Sequence, residues 1–252
     1  MDLLVASQKG HLEVVRLLLS DPRVDPSDDN NEAIRLASEN GRLEVVCLLL
    51  SDPRVDPSDE NNEAIRLASE NGHLEVVRRL LSDKRVNPSD FDNSAVALAC
   101  KKPHEELLRV LLADSRVYDS ISLTWACEKG LVHLVKMLIQ DYLFDPSVDN
   151  NRAIGCASRL GKTEIVELLL ADSRVDPSAN DDYAVRHARR KRHHKVFNLL
   201  IQDPRVNRFA SEAEDDSSGE EDYSDDYSGE VDEYEFASEK AYSDDYSDGE
   251  DE

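Results

Sequence analysis

Apolar positions in this chain come in two short helical bursts separated by a glycine, and the pair of bursts returns again and again. In Glu63–Leu81 the first burst places Ala64, Ile65 and Ala68 on one helical face. Gly72 interrupts it, and the second burst follows with Leu74, Val76, Val77, Leu80 and Leu81. Spacings of three and four residues predict two amphipathic helices. The glycine predicts the left-handed residue that ends the first of them. The second burst carries apolar side chains round more than one flank, which a lone hairpin in water would not tolerate but an inner member of a stack requires.

The segment between successive helix pairs is polar. In DPRVDPSDDNN, beginning at Asp21, two prolines and a run of Asp, Ser and Asn predict an extended turn, since the residue before proline is driven out of the α region. The next first helix is expected to begin near Asn30 or Asn31, because asparagine caps free N–H groups well. A valine recurs in this segment at Val24, Val55, Val86, Val117 and Val175 and is expected to tuck the loop against the second helix.

The register is followed on one small residue in each first helix: Ala6, Ala37, Ala68, Ala99, Ala126, Ala157 and Ala188. The steps are 31, 31, 31, 27, 31 and 31, so seven units are present and only the fifth is shortened. Self-similarity at such a period marks a stacked-repeat architecture in which each unit buries its apolar face against its neighbours. The expected fold is therefore an all-α helix-turn-helix solenoid. The shortened loop around Tyr118 to Ser122 is expected to be its weakest joint.

Charge divides the chain. The net charge is −24, but residues 211–252 hold 20 Asp or Glu against the single Lys240, leaving −5 for residues 1–210. The predicted organisation is a repeat array over 1–208 and an acidic tail over 209–252, expected to be disordered because it has almost no aliphatic residues to bury. Within the tail, Ser211, Ser217, Ser218 and Ser247 each have an acid three residues on, a pattern that resembles sites of acid-directed kinases. The alternative is a purely solubilising anionic brush.

No run approaches the roughly 20 apolar residues that span a bilayer. MDLLVASQKG lacks the basic start and long apolar core of a secretory signal and reads instead as the first helix. Cys47, Cys100, Cys127 and Cys156 show no zinc-like pairing. They read as small buried thiols, which suits an intracellular, reducing compartment, cytoplasm or nucleus, including that of a host cell. His11, His73, His104 and His193 share one position in units at least one repeat apart, too far for a common metal with bonds of about 2 Å. They read as structural residues that close the turn between the two helices. Trp125 reads as core.

No phosphate-cradling loop, dinucleotide fingerprint or nucleophile elbow occurs, so neither an enzyme nor a cofactor is expected. Arg186, Arg189, Arg190, Lys191, Arg192 and Lys195 form a basic cluster. It reads as an import signal, a nucleic-acid patch, or a solvated or tail-pairing surface.

EAIRLASENGHLEVVRRLL at Glu63–Leu81 resembles the TPLHxAxxxGHxxVVxLLL pattern of ankyrin repeats, through Ala64, Ile65, Ala68, Gly72, His73, Val76, Val77, Leu80 and Leu81. The resemblance extends over residues 1 to about 208, with EAIR in place of TPLH and DPRVDP in place of the usual loop. The DPRVDPS and NNEAIR wording is similar to the short variant repeats of large DNA viruses of protists. The resemblance implies an interaction scaffold or adaptor that binds another protein on a concave face. Direct nucleic-acid binding is not expected of so acidic a chain, and a membrane partner is not expected either. The array is expected to be a monomer.

Specificity is sought where units differ. One loop position reads Asp29, Glu60, Phe91, Asp149, Asn180; one at the start of the first helix reads Glu32, Glu63, Ser94, Arg152, Tyr183; one further on reads Arg35, Arg66, Ala97, Thr124, Gly155, Arg186. Phe91, Arg152 and Tyr183 are the leading candidates, since aromatics and arginine dominate interface hot spots. Asp29, Glu60, Asp149, Asn180, Arg35, Arg66 and Arg186 complete the set. The competing reading makes the acidic tail the active element, as a chaperone or decoy for basic proteins.

Overall fold

Helix pairs stack because neither member can bury its apolar side chains alone. The structure, a computed structural model, describes residues 2–102, 104–118, 120–140 and 144–206, all within the unit Met1–Ala213. The acidic tail expected over 209–252 lies outside the described residues. The helices are α1 (Leu3–Lys9), α2 (Leu12–Leu19), α3 (Asp28–Glu39), α4 (Leu43–Leu50), α5 (Asp59–Glu70), α6 (Leu74–Leu81), α7 (Asp90–Ala99) and α8 (Glu105–Leu112). They continue with α9 (Ser115–Tyr118), α10 (Leu123–Glu128), α11 (Val132–Gln140), α12 (Val148–Arg159), α13 (Thr163–Leu170), α14 (Ala179–Arg190) and α15 (His194–Leu200). Among the described residues there is no strand.

Seven pairs result, α1 with α2 through α14 with α15, and α9 is one extra turn in the loop of the fifth unit. First helices lie against first helices and second against second within units one to four and within units five to seven, while side chains such as Asp92 and Trp125 link the fourth unit to the fifth. All seven marker alanines are 0% exposed, and Ser7, Ser38, Ser69 and Ser158 beside them are equally buried. Side chains this small let neighbouring first helices approach closely. The second helices supply the bulk: Leu49, Leu80, Leu111, Leu138, Leu169 and Leu200 are fully buried. One continuous apolar cluster runs from Leu3 to Val206.

Each first helix stops as its glycine predicts. At the end of α1, Gly10 has φ 77°, its N–H donates to the Ser7 carbonyl at 3.2 Å, and the His11 N–H donates to the Ala6 carbonyl at 2.9 Å. This double closure satisfies carbonyls that would otherwise end the helix unpaired. The same arrangement recurs at Gly41, Gly72, Gly130 and Gly161, while Arg192 adopts φ 61° in the seventh unit.

The first helices do not start as expected. Asn30 and Asn31 are not conventional caps: Asp29, Asn30 and Asn31 have φ of 52°, 55° and 58°, a full turn of left-handed backbone, and the right-handed helix begins at Glu32. The turn recurs at Glu60–Asn62, Phe91–Asn93, Asp149–Asn151 and Asn180–Asp182. Asn and Asp tolerate this region better than other side-chain-bearing residues, which explains the NN and DN wording. Among the described residues of the fifth unit the turn is absent. There α9 fills the loop, and Ser122, in extended backbone, caps α10 by accepting the Trp125 N–H at 3.0 Å.

Candidate functional site

Three hydrogen-bonded ladders set the loops and so position every variable side chain. In the first, the asparagine that ends a left-handed turn reaches into the next unit, buried at Asn31, Asn62 and Asn93 and half-buried at Asn151. Asn31 accepts the Asp56 N–H at 2.7 Å and donates to Asp59 at 2.5 Å. Asn62 does the same with Asn87 and Asp90, at 2.7 and 2.8 Å. Asn151 accepts the Asp176 N–H at 2.7 Å, and Asn93 accepts the Ser120 hydroxyl at 2.6 Å. Asparagine suits this place because its amide both donates and accepts.

The second ladder is the Asp-x-Arg that all but one of the loops carry. Arg85 binds Asp83 through Nε and Nη2 and sends Nη1 to the Val55 carbonyl of the preceding unit at 2.6 Å. Arg54, Arg116 and Arg205 likewise reach the carbonyls of Val24, Val86 and Val175, at 2.9, 2.5 and 2.5 Å. The paired carboxyls of Asp52, Asp83, Asp114, Asp172 and Asp203 are held below the usual carboxylate range, chiefly by the hydrogen bond from their arginine; partial burial opposes this.

The third ladder is the shared histidine position. His73 Nε2 lies 2.8 Å from the Glu39 carbonyl, and His193 Nε2 lies 3.1 Å from the Arg159 carbonyl. The rings cover the glycines of the preceding unit, so closely that a Cβ on Gly41 would meet His73 Nδ1 at 2.6 Å. These histidines therefore join neighbouring units rather than merely closing their own turn. Among the described residues, no group of three or more His, Cys, Asp or Glu could hold a metal.

The expected recognition residues fall on this frame. Asp29, Glu60, Phe91, Asp149 and Asn180 are each the first residue of a left-handed turn, and all five are exposed. Arg35, Arg66 and Arg186 turn back and clamp those turns. Arg35 Nη2 donates to the Asp29 carbonyl at 2.9 Å, Arg66 Nη2 to that of Glu60 at 3.0 Å, and Arg186 Nη2 to that of Asn180 at 3.2 Å. Arg35 also pairs with Glu63 of the next unit.

Phe91 and Trp125 bring aromatic side chains to the surface of the fourth and fifth units. Phe91 is 52% exposed, and the Arg66 guanidinium carbon lies 5.1 Å from its ring centroid. Beside it, Asp92 accepts the Trp125 indole N–H at 3.0 Å and pairs with Lys129 at 2.5 Å. Trp125, expected in the core, is only half-buried. Arg152 is exposed at the start of the right-handed part of α12. Tyr183 is half-buried, stacked on His187 at 3.8 Å, and packs where Gly155 has no side chain. Burial, together with Arg190, Arg186 and Arg159, lowers the His187 pKa against the opposing hydrogen bond to the Tyr183 carbonyl. The structure thus joins Arg66 to Phe91 directly and leaves Arg152 and Tyr183 on later units.

Three of the four thiols are poor nucleophiles. Burial pushes Cys100 and Cys127 up to about 12 and Cys156 up to about 11, so all three stay protonated near neutrality. All four cysteines are free, and Cys47 and Cys100 are half-buried rather than buried. The basic residues Arg186, Arg189, Arg190, Lys191, Arg192 and Lys195 are exposed. No described helix is long and apolar enough to cross a membrane.

The Asn and Arg ladders were not singled out from sequence, although their signal was there: DPRV and NN recur across units with less variation than any surface role needs.

A paired-helix stack whose loops are fixed by unit-to-unit ladders defines a helical repeat solenoid. A profile described as ankyrin repeats (3 copies) matches residues 3–61 and 98–181, and the chain belongs to the ankyrin-repeat family. Among solved structures, the ankyrin repeat domain of Bcl-3, a member of the IkappaB protein family, is similar with TM-score 0.58 and 21% identity, over 81% of this chain and 98% of its own. That likeness concerns the fold. The human ASB11 ankyrin repeat domain is similar at TM-score 0.47 and 18% identity, over 73% of this chain and 96% of its own. An ankyrin repeat family protein from Legionella pneumophila gives TM-score 0.41 and 20% identity, over 86% and 71%. No curated protein matches the chain. Ankyrin repeats as a class mediate protein–protein interaction and are typically not enzymes.

Proposed function

We propose that the chain is an interaction scaffold whose partner lies along the concave side of the stack, across the left-handed loop tips and the first helices. The observation that carries this reading is the contrast within the turns: the third residue is withdrawn into the frame, buried or half-buried, while the first is lifted into solvent and varies as Asp, Glu, Phe, Asp and Asn. Phe91 is the anchor, an apolar ring held out of the frame and backed by the Arg66 cation. Asp29, Glu60 and Asp149 flank it with negative charge, which favours a partner presenting an apolar side chain between basic ones. Arg152 and Tyr183 extend the surface towards the seventh unit. The free thiols suit a reducing compartment, so cytoplasm or nucleus is the proposed location.

A photo-crosslinking residue at position 91 is expected to trap one protein partner, and a Phe91→Ala/Arg152→Ala/Tyr183→Ala variant to capture at least tenfold less of it. Equal capture by the variant would refute the assignment. A second reading is favoured by the charge of −19 over residues 211–252: the tail binds basic proteins as a chaperone or decoy. Deleting those residues would then abolish capture, and modest added salt would weaken it steeply. A groove-bound partner would withstand both.

A further inference from the structure

Basic side chains in this array are mostly tied down. Arg35 pairs with Glu63, Arg54 with Asp52, Arg78 with Glu106, Arg116 with Asp114 and Arg205 with Asp203. The turn between α14 and α15 departs from this. Arg189, Arg190, Lys191, Arg192 and Lys195 are exposed there and make no side-chain hydrogen bond or ion pair among the described residues. The chain carries no Asp or Glu from Arg186 to Lys195, so nothing adjacent in sequence offsets their charge.

Local stability does not account for the whole cluster. Arg189 and Arg190 suit the last turn of α14, where the helix dipole favours a cation. Lys195 does not suit its place. The helices α2, α4, α6, α8 and α13 hold Glu13, Glu44, Glu75, Glu106 and Glu164 in the first turn, as the dipole favours, and α15 has Lys195 at that position instead. Arg192 holds φ 61° where five units have glycine. Backbone strain at a residue with a long side chain points to a role for that side chain.

We propose that this turn is a docking surface for the acidic segment of the same chain, residues 211–252. Charge complementarity names the occupant, since the turn presents five unpaired cations and the segment carries −19. Only residues 207–210 separate that segment from Val206 of the seventh unit. Covalent attachment therefore supplies the segment at a local concentration that a separate micromolar ligand does not reach. Guanidinium forks and carboxylates match in geometry as well as in charge. Nucleic acid fits less well: the turn has no Phe, Tyr or Trp on which a base could stack, and phosphates would have to displace carboxylates already tethered. This contact forms whether or not the loop tips hold a partner, and it lowers the charge that the tail can offer to basic proteins.

Carbodiimide coupling of the full chain tests the pairing, because it joins lysine amines to carboxylates in contact with them. With equal parts of natural and isotope-labelled chain, the expected products join Lys191 or Lys195 to carboxylates within 211–252 of the same chain. An Arg189→Glu/Arg190→Glu/Arg192→Glu variant with an unchanged circular dichroism spectrum should give at least fivefold less of this product. So should the native chain in about 1 M salt, where the screening length falls to about 3 Å. Absence of coupling at both lysines, products only between labelled and natural chains, or equal yields from native and variant chains would each overturn the proposal. Displacement of the segment by an equimolar single-stranded oligonucleotide would overturn it too and assign the patch to nucleic acid.

Discussion

Asn62 shows how much one side chain can settle. It sits at φ 58°, is 4% exposed, and satisfies two groups of the next unit, the Asn87 N–H and the Asp90 carboxylate. Alanine there would remove the partner of the part-buried Asn87 N–H and keep a strained φ without the residue type that tolerates it. The expected loss is about 2–3 kcal/mol. Asn62→Gly loses the same bonds but relieves the backbone, so its urea midpoint should fall between those of wild type and Asn62→Ala. If the two variants unfold together, the left-handed backbone contributes nothing measurable. Arg192 is the reverse case, a side chain at φ 61° where five units have glycine. Arg192→Gly should raise stability by about 1 kcal/mol, seen as a higher thermal midpoint.

At the scale of the element, each loop is a folded object rather than a connector. In the third unit Asp52 orients Arg54, and Asp56 accepts both the N–H and hydroxyl of Ser58, at 2.9 and 2.7 Å, while Pro57 is buried. Because arginine holds the Asp52, Asp83, Asp114 and Asp203 carboxyls below their ordinary values, their contribution to stability is complete above the unfolded carboxylate pKa, about 4. It is lost as pH falls through the lower folded values. Urea midpoints at pH 7 and pH 3 should differ more for the native chain than for an Asp83→Asn/Asp114→Asn variant; equal differences would show the pairs to be inert. The helices themselves were legible in sequence, because periodic apolar residues and a left-handed glycine act locally on the chain. The left-handed turns were not. Asn30 and Asn31 look like helix caps when only their own unit is considered, and what selects the other geometry is Asp56 and Asp59 of the next unit. For the same reason Arg35, Arg66 and Arg186 read as free recognition residues until the carbonyls they clamp are placed beside them. Phe91, whose exposure follows from its rank within the turn, was legible.

For the whole molecule, stability is a sum over units and the joints between them, so the weakest joint decides where the array opens first. Sequence places that weakness at the shortened fifth unit, and the ladders add to it the junction of the fifth and sixth. The fourth-to-fifth joint keeps its polar bonds, through Asn93 with Ser120 and Arg116 with Val86. In the sixth loop, Leu143 stands where other units have the arginine of Asp-x-Arg, although Asp141 retains the aspartate. The fifth unit has no left-handed turn, so Ser120 occupies the place of the ladder asparagine, and its hydroxyl also donates to the Val117 carbonyl of its own loop at 2.8 Å. Two of the three ladders are thus diminished at one junction while the apolar cluster runs through it. Hydrogen exchange should accordingly show α10, α11 and α12 opening before the flanking helices, at denaturant concentrations well below global unfolding. Leu143→Arg supplies a cation two residues after Asp141, and it should slow exchange in these three helices at least tenfold while leaving α3 to α6 unaffected. Uniform protection from α3 to α13 in the native chain would mean that apolar continuity alone couples the units and that the loop ladders only aim the side chains at their tips.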